Sequence, residues 1–519
     1  MALTETRPET DRADTVVDER EPATQIERLI GSGDHLSNGR LLVGFSLIFL
    51  VVSAVGLGLA ALDRTTDDGL LGGISDTLWP SSLIGLVLAG VLPLLIGLGI
   101  CIVPLQVGSR AVSFPRAAAL SLWAWLIGVL LFITSVAIDG GVGGSDDELA
   151  RMGNLSLGLM MAALALGAAC VATTVFSHRP VGMGLARVPL FSWSMLVAAP
   201  VWILSLGSAT AHVFLGHISR ADAAGLATTF DSGIAWLLHA PAVYMLAIPV
   251  LGIAGDVVAH LTGRRLAPYG AFQAAIAAYG VLSFGVWAQT PRSLQTIIWI
   301  AVVVLAALPV LAMVGGVADT VRRGTPKLAA SLIALVLAHL LILGGVLAAA
   351  LEAVDTIGSG QLWNLDTGSL AGAQALFLIT AATLGALGGA IHWSPRLFGS
   401  VAAEGPARGG SLAVLLGGAL AATVLLVQAI AAADGRDGLP EGLLFALVAA
   451  GAALFALGVL GGLASGLGAA RQGHEDGPSD AVTEGLTLEW STADDPVAVR
   501  SPYPLLDLRD GGASDEESK

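Results

Sequence analysis

Residues 103–123 read Val-Pro-Leu-Gln-Val-Gly-Ser-Arg-Ala-Val-Ser-Phe-Pro-Arg-Ala-Ala-Ala-Leu-Ser-Leu-Trp. One apolar run ends inside this stretch and another begins, and the loop between them carries Arg110 and Arg116. The two runs cover 80–105 and 117–138, each near the roughly 20 residues that a helix needs to cross a bilayer. The pattern recurs along the whole chain. Of 519 residues, 55% are hydrophobic and 13% are charged, whereas soluble domains carry about 25% charged residues. A soluble protein is excluded. The sequence predicts an all-α polytopic membrane protein with twelve spans at 41–62, 80–105, 117–138, 152–176, 189–213, 233–260, 270–289, 295–318, 328–351, 369–393, 412–433 and 441–469.

Outside this twelve-helix domain of residues 41–470, residues 1–40 and 471–519 read as polar, acidic tails with too little apolar surface to fold alone. Segment 4–27 has no basic stretch followed by an apolar core, so it is not expected to be a signal peptide. The tails account for much of the net charge of −15, which therefore says little about partners. Nothing in the chain calls for nucleic acid; membrane lipid is the expected surround. One set of loops holds Arg110, Arg116, Arg179, Arg187, Arg264, Arg265, Arg322, Arg323, Lys327, Arg396 and Arg408, and the other only Arg64, Arg151, Arg220, Arg292 and Arg436. Basic loops face the cytoplasm, so both termini are expected there and the membrane is expected to be the plasma membrane. Cys101 and Cys170 lie in apolar runs without metal-binding spacing and read as small buried hydrophobes.

The stretch at 103–123 resembles the junction of helices 2 and 3 in subunit I of the heme-copper oxidases, the cytochrome c oxidase type. Five further segments match the same pattern in order: Gly33-Asp-His35; His239-Ala-Pro-Ala-Val-Tyr244 with Ile248-Pro249, similar to H-P-E-V-Y; Ala277 to Trp287, similar to the helix that ends W-A-H-H; Gly388 to Gly399, similar to the end of helix 10; and Gly485-Leu-Thr-Leu-Glu-Trp490, similar to the family's G-x-T-L-E-W. The resemblance implies a subunit that binds two hemes and a copper, works among other oxidase subunits in a respiratory chain, and reduces O2 with electrons from cytochrome c while pumping protons.

Heme iron and copper need imidazole nitrogens aimed at the metal. Carried across, the family's helix 10 ligands fall on Ala373 and Ala375, flanking Gln374, and its adjacent helix 7 copper ligands on Gln289 and Thr290. The low-spin ligand of helix 2 falls near Ser81 and the copper ligand of helix 6 on Ala240. His239 stands one residue off that position, and one residue turns a helical side chain by about 100°. It is a candidate residual ligand, with a hydrogen-bonded buried histidine as the blander reading. The proton-path positions fall on Ala242, Ala111, Ala118, Ala119 and Met313. Asp366-Thr367 matches the D-T of the family's H-D-T with Leu365 in the histidine's place, so Asp366 is a metal candidate that also reads as a helix cap. His212, His217, His260, His339 and His392 suggest no shared metal, and Trp287 and Trp393 read as packing anchors. Asp256 reads as an interfacial carboxylate that reaches water.

Three functions follow. The first is a cofactor-free relative of subunit I, a structural or assembly partner of a respiratory complex, with no heme or copper. The second is a working oxidase that retains them. The third is a repurposed transporter or channel. Space left by two hemes would be filled by larger side chains, shifted helices or lipid.

Overall fold

The computed structural model describes residues 34–66, 69–71, 75–138, 147–180, 182–218, 234–264, 266–288, 293–355, 362–433, 438–475 and 487–490. Twelve helices are long and apolar enough to cross a membrane, and the chain is an integral membrane protein. They are α1 (His35–Asp63), α2 (Ser75–Gln106), α3 (Pro115–Ala137), α4 (Asp147–Ser177), α5 (Leu190–Ile218), α6 (Ile234–Thr262), α7 (Tyr269–Leu282), α8 (Ser293–Arg323), α9 (Ala330–Asp355), α10 (Thr367–His392), α11 (Glu404–Ala433) and α12 (Glu441–Glu475). A short helix, Ser394–Phe398, follows α10, and a single 3-10 turn, Leu488–Trp490, follows α12.

The expected spans all form, with shifted ends. α1 starts at His35 rather than 41, because the Asp34 carboxylate caps it by accepting from Leu36 N and Ser37 N. The rest of the expected N-terminal tail, like most of the C-terminal one, lies outside the described residues. α7 tightens into a 3-10 helix over Ser283–Ala288, and the expected ligand positions Gln289 and Thr290 also lie outside the described residues.

α2 and α6 are wholly surrounded by other helices, and α10 nearly so. These three form the axis of the bundle, and the remaining spans face lipid on one side. Backbone irregularity inside a membrane is tolerated only where protein re-satisfies it, and both central irregularities meet that condition. α2 opens into a π-helical segment at Gly85–Val91, where the Trp125 indole of α3 donates to Leu88 O at 2.9 Å. α6 breaks at Ala240–Pro241, where the Gln374 amide of α10 donates to His239 O. One end of the bundle carries the basic loops, including Arg110, Arg116, Arg396 and Arg408; it is called the basic end below, and the opposite end the acidic end.

Candidate functional site

Three of the positions that the resemblance assigns to metal ligands lie buried on the central helices, while Ala375 is half-buried. Ala373 of α10 is completely buried, Ser81 of α2 is 3% exposed and Ala240 of α6 is 5% exposed. None offers an imidazole. The proton-path positions Ala118, Ala242 and Met313 are buried as well. Among α1, α2, α10, α11 and α12 lies an apolar cavity of about 20 Å3, lined by Leu86, Leu376, Ile379, Thr380, Gly417 and Phe455 among others. Ligand sites for organic molecules run to roughly 300–1,000 Å3.

Glycine closes this space. A methyl built on Gly417 of α11 would stand 2.4 Å from both Gly451 O and Phe455 N of α12, and one on Gly458 would stand 2.4 Å from Val414 N. The α11 and α12 backbones therefore touch, as small residues permit in membranes. Gly418 lies equally close to Thr380 of α10. Beside α6, Tyr244 and Tyr279 pack with centroids 4.9 Å apart and the Tyr279 hydroxyl donates to Val243 O. The side chains at these described positions offer no donor set that fits heme or copper.

His239 does acquire a partner. Its Nε2 lies 2.9 Å from Glu352 Oε2 of α9, and its carbonyl accepts from Gln374. Both side chains are partly exposed, at 22% and 14%. The result is a polar tie between α6, α9 and α10 near the acidic end. Glu352 escaped the sequence reading, because nothing in its own helix says which neighbour it faces. Asp366 is the N-cap of α10, accepting from Gly368 N at 3.1 Å and from the Ser369 hydroxyl at 2.5 Å. His339 is buried and its Nδ1 faces Leu335 O. His212 Nδ1 faces Ser208 O. Among the described residues no group of three His, Cys, Asp or Glu side chains is placed to hold a metal ion.

Asp256 corrects the expectation of a carboxylate reaching water. It is 7% exposed and sits at the N-terminus of α5, accepting from Leu190 N and Phe191 N, each at 2.9 Å. Free amides and the helix dipole make that terminus favourable for negative charge. The Gln106 amide of α2 donates to Asp256 at 3.0 Å and to Glu489 at 3.2 Å, and its carbonyl accepts from the Ser192 hydroxyl at 2.7 Å. Glu489 belongs to the turn after α12, the L-E-W segment singled out by sequence, and burial pushes its carboxyl above the ordinary range. Trp490 beside it meets the rings of His260 and His392, each with centroids 5.3 Å away. His260 is thus half-buried among rings. Arg396 stands over the Trp490 ring, and burial lowers its pKa although Glu489 opposes the change.

The family model described as cytochrome C and quinol oxidase polypeptide I matches residues 39–437. Quinol oxidase subunit 1 of Bacillus subtilis is 30% identical over 217 residues, covering 38% of this chain and 33% of that protein. A heme-copper oxidase subunit I+III of Aeropyrum pernix is 27% identical over 420 residues, covering 73% of this chain and 49% of that protein. The matches thus span about a third to a half of the length of these curated relatives. A cryo-EM structure of a heme-copper terminal oxidase dimer overlays with a TM-score of 0.64 at 12% identity, over 83% of this chain and 84% of that one, and shows the fold to be shared.

Proposed function

This chain belongs to the cytochrome c and quinol oxidase polypeptide I family, and from that premise we propose that it is a cofactor-free member, serving as a structural or assembly partner in a respiratory electron-transport complex. The observation that carries the reading is the axis of the bundle. There the expected ligand positions Ala373, Ser81 and Ala240 are all buried and carry no imidazole. Alanine cannot coordinate a metal. The retained family scaffold would then supply a docking shape for other oxidase subunits. The distribution of basic loops supports a plasma-membrane protein with both termini in the cytoplasm.

A pyridine hemochrome spectrum with copper analysis on the purified protein tests the reading. Heme and copper far below one per chain are expected. Stoichiometric heme would overturn it and restore O2 reduction as the leading function. Co-purification with catalytic oxidase subunits is the second expected result, and substrate-dependent flux in vesicles without such subunits would favour a transporter instead.

A further inference from the structure

The basic end of the bundle holds a second, differently built space. α1, α10 and α12 leave a crevice of about 140 Å3 between them. On α1 it is lined by Arg40, Val43, Gly44 and Leu47, the spacing of one helical stripe. Opposite them stand Gly462 and Gly466 of α12. The missing side chains make the crevice. A methyl built on Gly44 would meet nothing within 4 Å, and one on Gly466 would only touch the Phe398 ring at 3.5 Å. From Arg40 to Leu47 the stripe descends by about 10 Å along α1, from the end of the span toward its middle.

Its chemistry is divided by depth. The deep wall is hydrocarbon: Val43 and Leu47 are nearly inaccessible, as is Leu387 of α10. The two serines of the lining are already engaged, Ser394 Oγ accepting from Ala402 N and Ser465 Oγ donating to Ala403 O. Arg40 is the only charged residue of the lining and is exposed at its mouth. An apolar space of this size next to lipid is filled rather than left empty. A guanidinium at the level of the headgroups is suited to a phosphate by charge and by its forked donors.

We propose that this crevice is a binding site for one anionic phospholipid, with an acyl chain between α1 and α12 and its phosphate on Arg40. Net negative charge separates it from zwitterionic lipid, whose headgroup cation faces the same arginine. The site is independent of the cofactor question, since its lining contains none of the positions assigned to metal ligands.

Native mass spectrometry of the delipidated full chain, titrated with phosphatidylglycerol or phosphatidylcholine of identical acyl chains, tests this. The expected result is one tight phosphatidylglycerol, bound about tenfold more weakly by Arg40→Gln, roughly the 1.4 kcal/mol of a charge-assisted contact, and largely retained by Arg40→Lys. Gly44→Leu should block the crevice and abolish the preference. Arg40 is exposed, so its variants report on binding even if Gly44→Leu folds poorly. Equal affinity for the two lipids in the unaltered protein, or unchanged phosphatidylglycerol binding by Arg40→Gln, would overturn the proposal. So would displacement of lipid by a co-purifying subunit segment seated in the crevice.

Discussion

On the central helix α10, Ala373 is completely buried, and an apolar cavity of about 20 Å3 lies farther along the helix beside Leu376, Ile379 and Thr380. At the basic end of the same bundle, α2, α5, α6 and the turn after α12 bring together Gln106, Ser192, Asp256 and Glu489, all buried and joined by hydrogen bonds. Both regions lie deep in a medium that penalises unpaired polar groups. In the first, the cavity lining is apolar apart from Thr380, and the neighbouring α11 and α12 backbones touch. In the second it is kept because each group holds another in place: Asp256 fixes the start of α5, Gln106 fixes Asp256 and Glu489, and Glu489 fixes the end of the chain's membrane domain. Polar side chains thus persist where they hold helices together.

The contrast is broken most severely by Asp256→Ala. It would leave Leu190 N, Phe191 N and the Gln106 amide short of an acceptor in a buried site. Each unsatisfied group costs about 1–3 kcal/mol, so a loss on the order of 3–5 kcal/mol is expected from unfolding midpoints in detergent. Asp256→Asn, which keeps one acceptor oxygen, should fall between this variant and the unaltered protein. Equal midpoints for all three would show that the network does not hold α5.

At the axis, Gly417→Ala should cost about 1–3 kcal/mol through overpacking, since its methyl would stand 2.4 Å from the α12 backbone. Gly409→Ala on the same helix meets nothing within 4 Å, and should be neutral or slightly stabilising through its helix propensity. The difference between two identical substitutions measures how tightly the α11–α12 contact is closed.

Glu489 sharpens the comparison through pH. Its folded pKa is raised by burial, while hydrogen bonds from Thr487, Gln106 and Trp393 oppose the shift. The folded protein therefore retains a proton that the unfolded chain releases. Stability is full below the ordinary carboxylate pKa and is lost as pH rises from there through the folded value, by at most about 1.4 kcal/mol per pH unit for one proton. Glu489→Gln should flatten that decline. A midpoint that rises with pH in the unaltered protein, or the same slope in the variant, would contradict the assignment.

The twelve spans were legible because hydropathy and length alone define a membrane helix. The side-chain types at the motif positions were legible directly, since they are read from the sequence itself, although Gln289 and Thr290 lie outside the described residues. Asp256 was misjudged for a physical reason: its partners lie on other elements, Gln106 150 positions away in the chain, and the two amides that neutralise it are backbone groups of α5, which no side-chain pattern records. Asp34 shows the same effect at short range. The polar character that suggested a tail up to residue 40 includes the cap that starts α1 at His35. The closure of the axis was hidden too, since the 66 glycines of the sequence do not say which of them meet.

The smallest effect is expected at the acidic end, where His239 and Glu352 tie α6 to α9. Both are partly exposed, so the coupling in a double-mutant cycle of His239→Gln and Glu352→Gln should be no more than about 1 kcal/mol. If His239 instead held a metal, its substitution would remove bound copper or zinc measurable by elemental analysis, and the coupling would vanish in the presence of a chelator. A chelator-insensitive coupling of about that size would identify the pair as a tie between helices. It would also show how the fold anchors α6 beside the Ala240–Pro241 break, where the family places a ligand and this chain places an alanine.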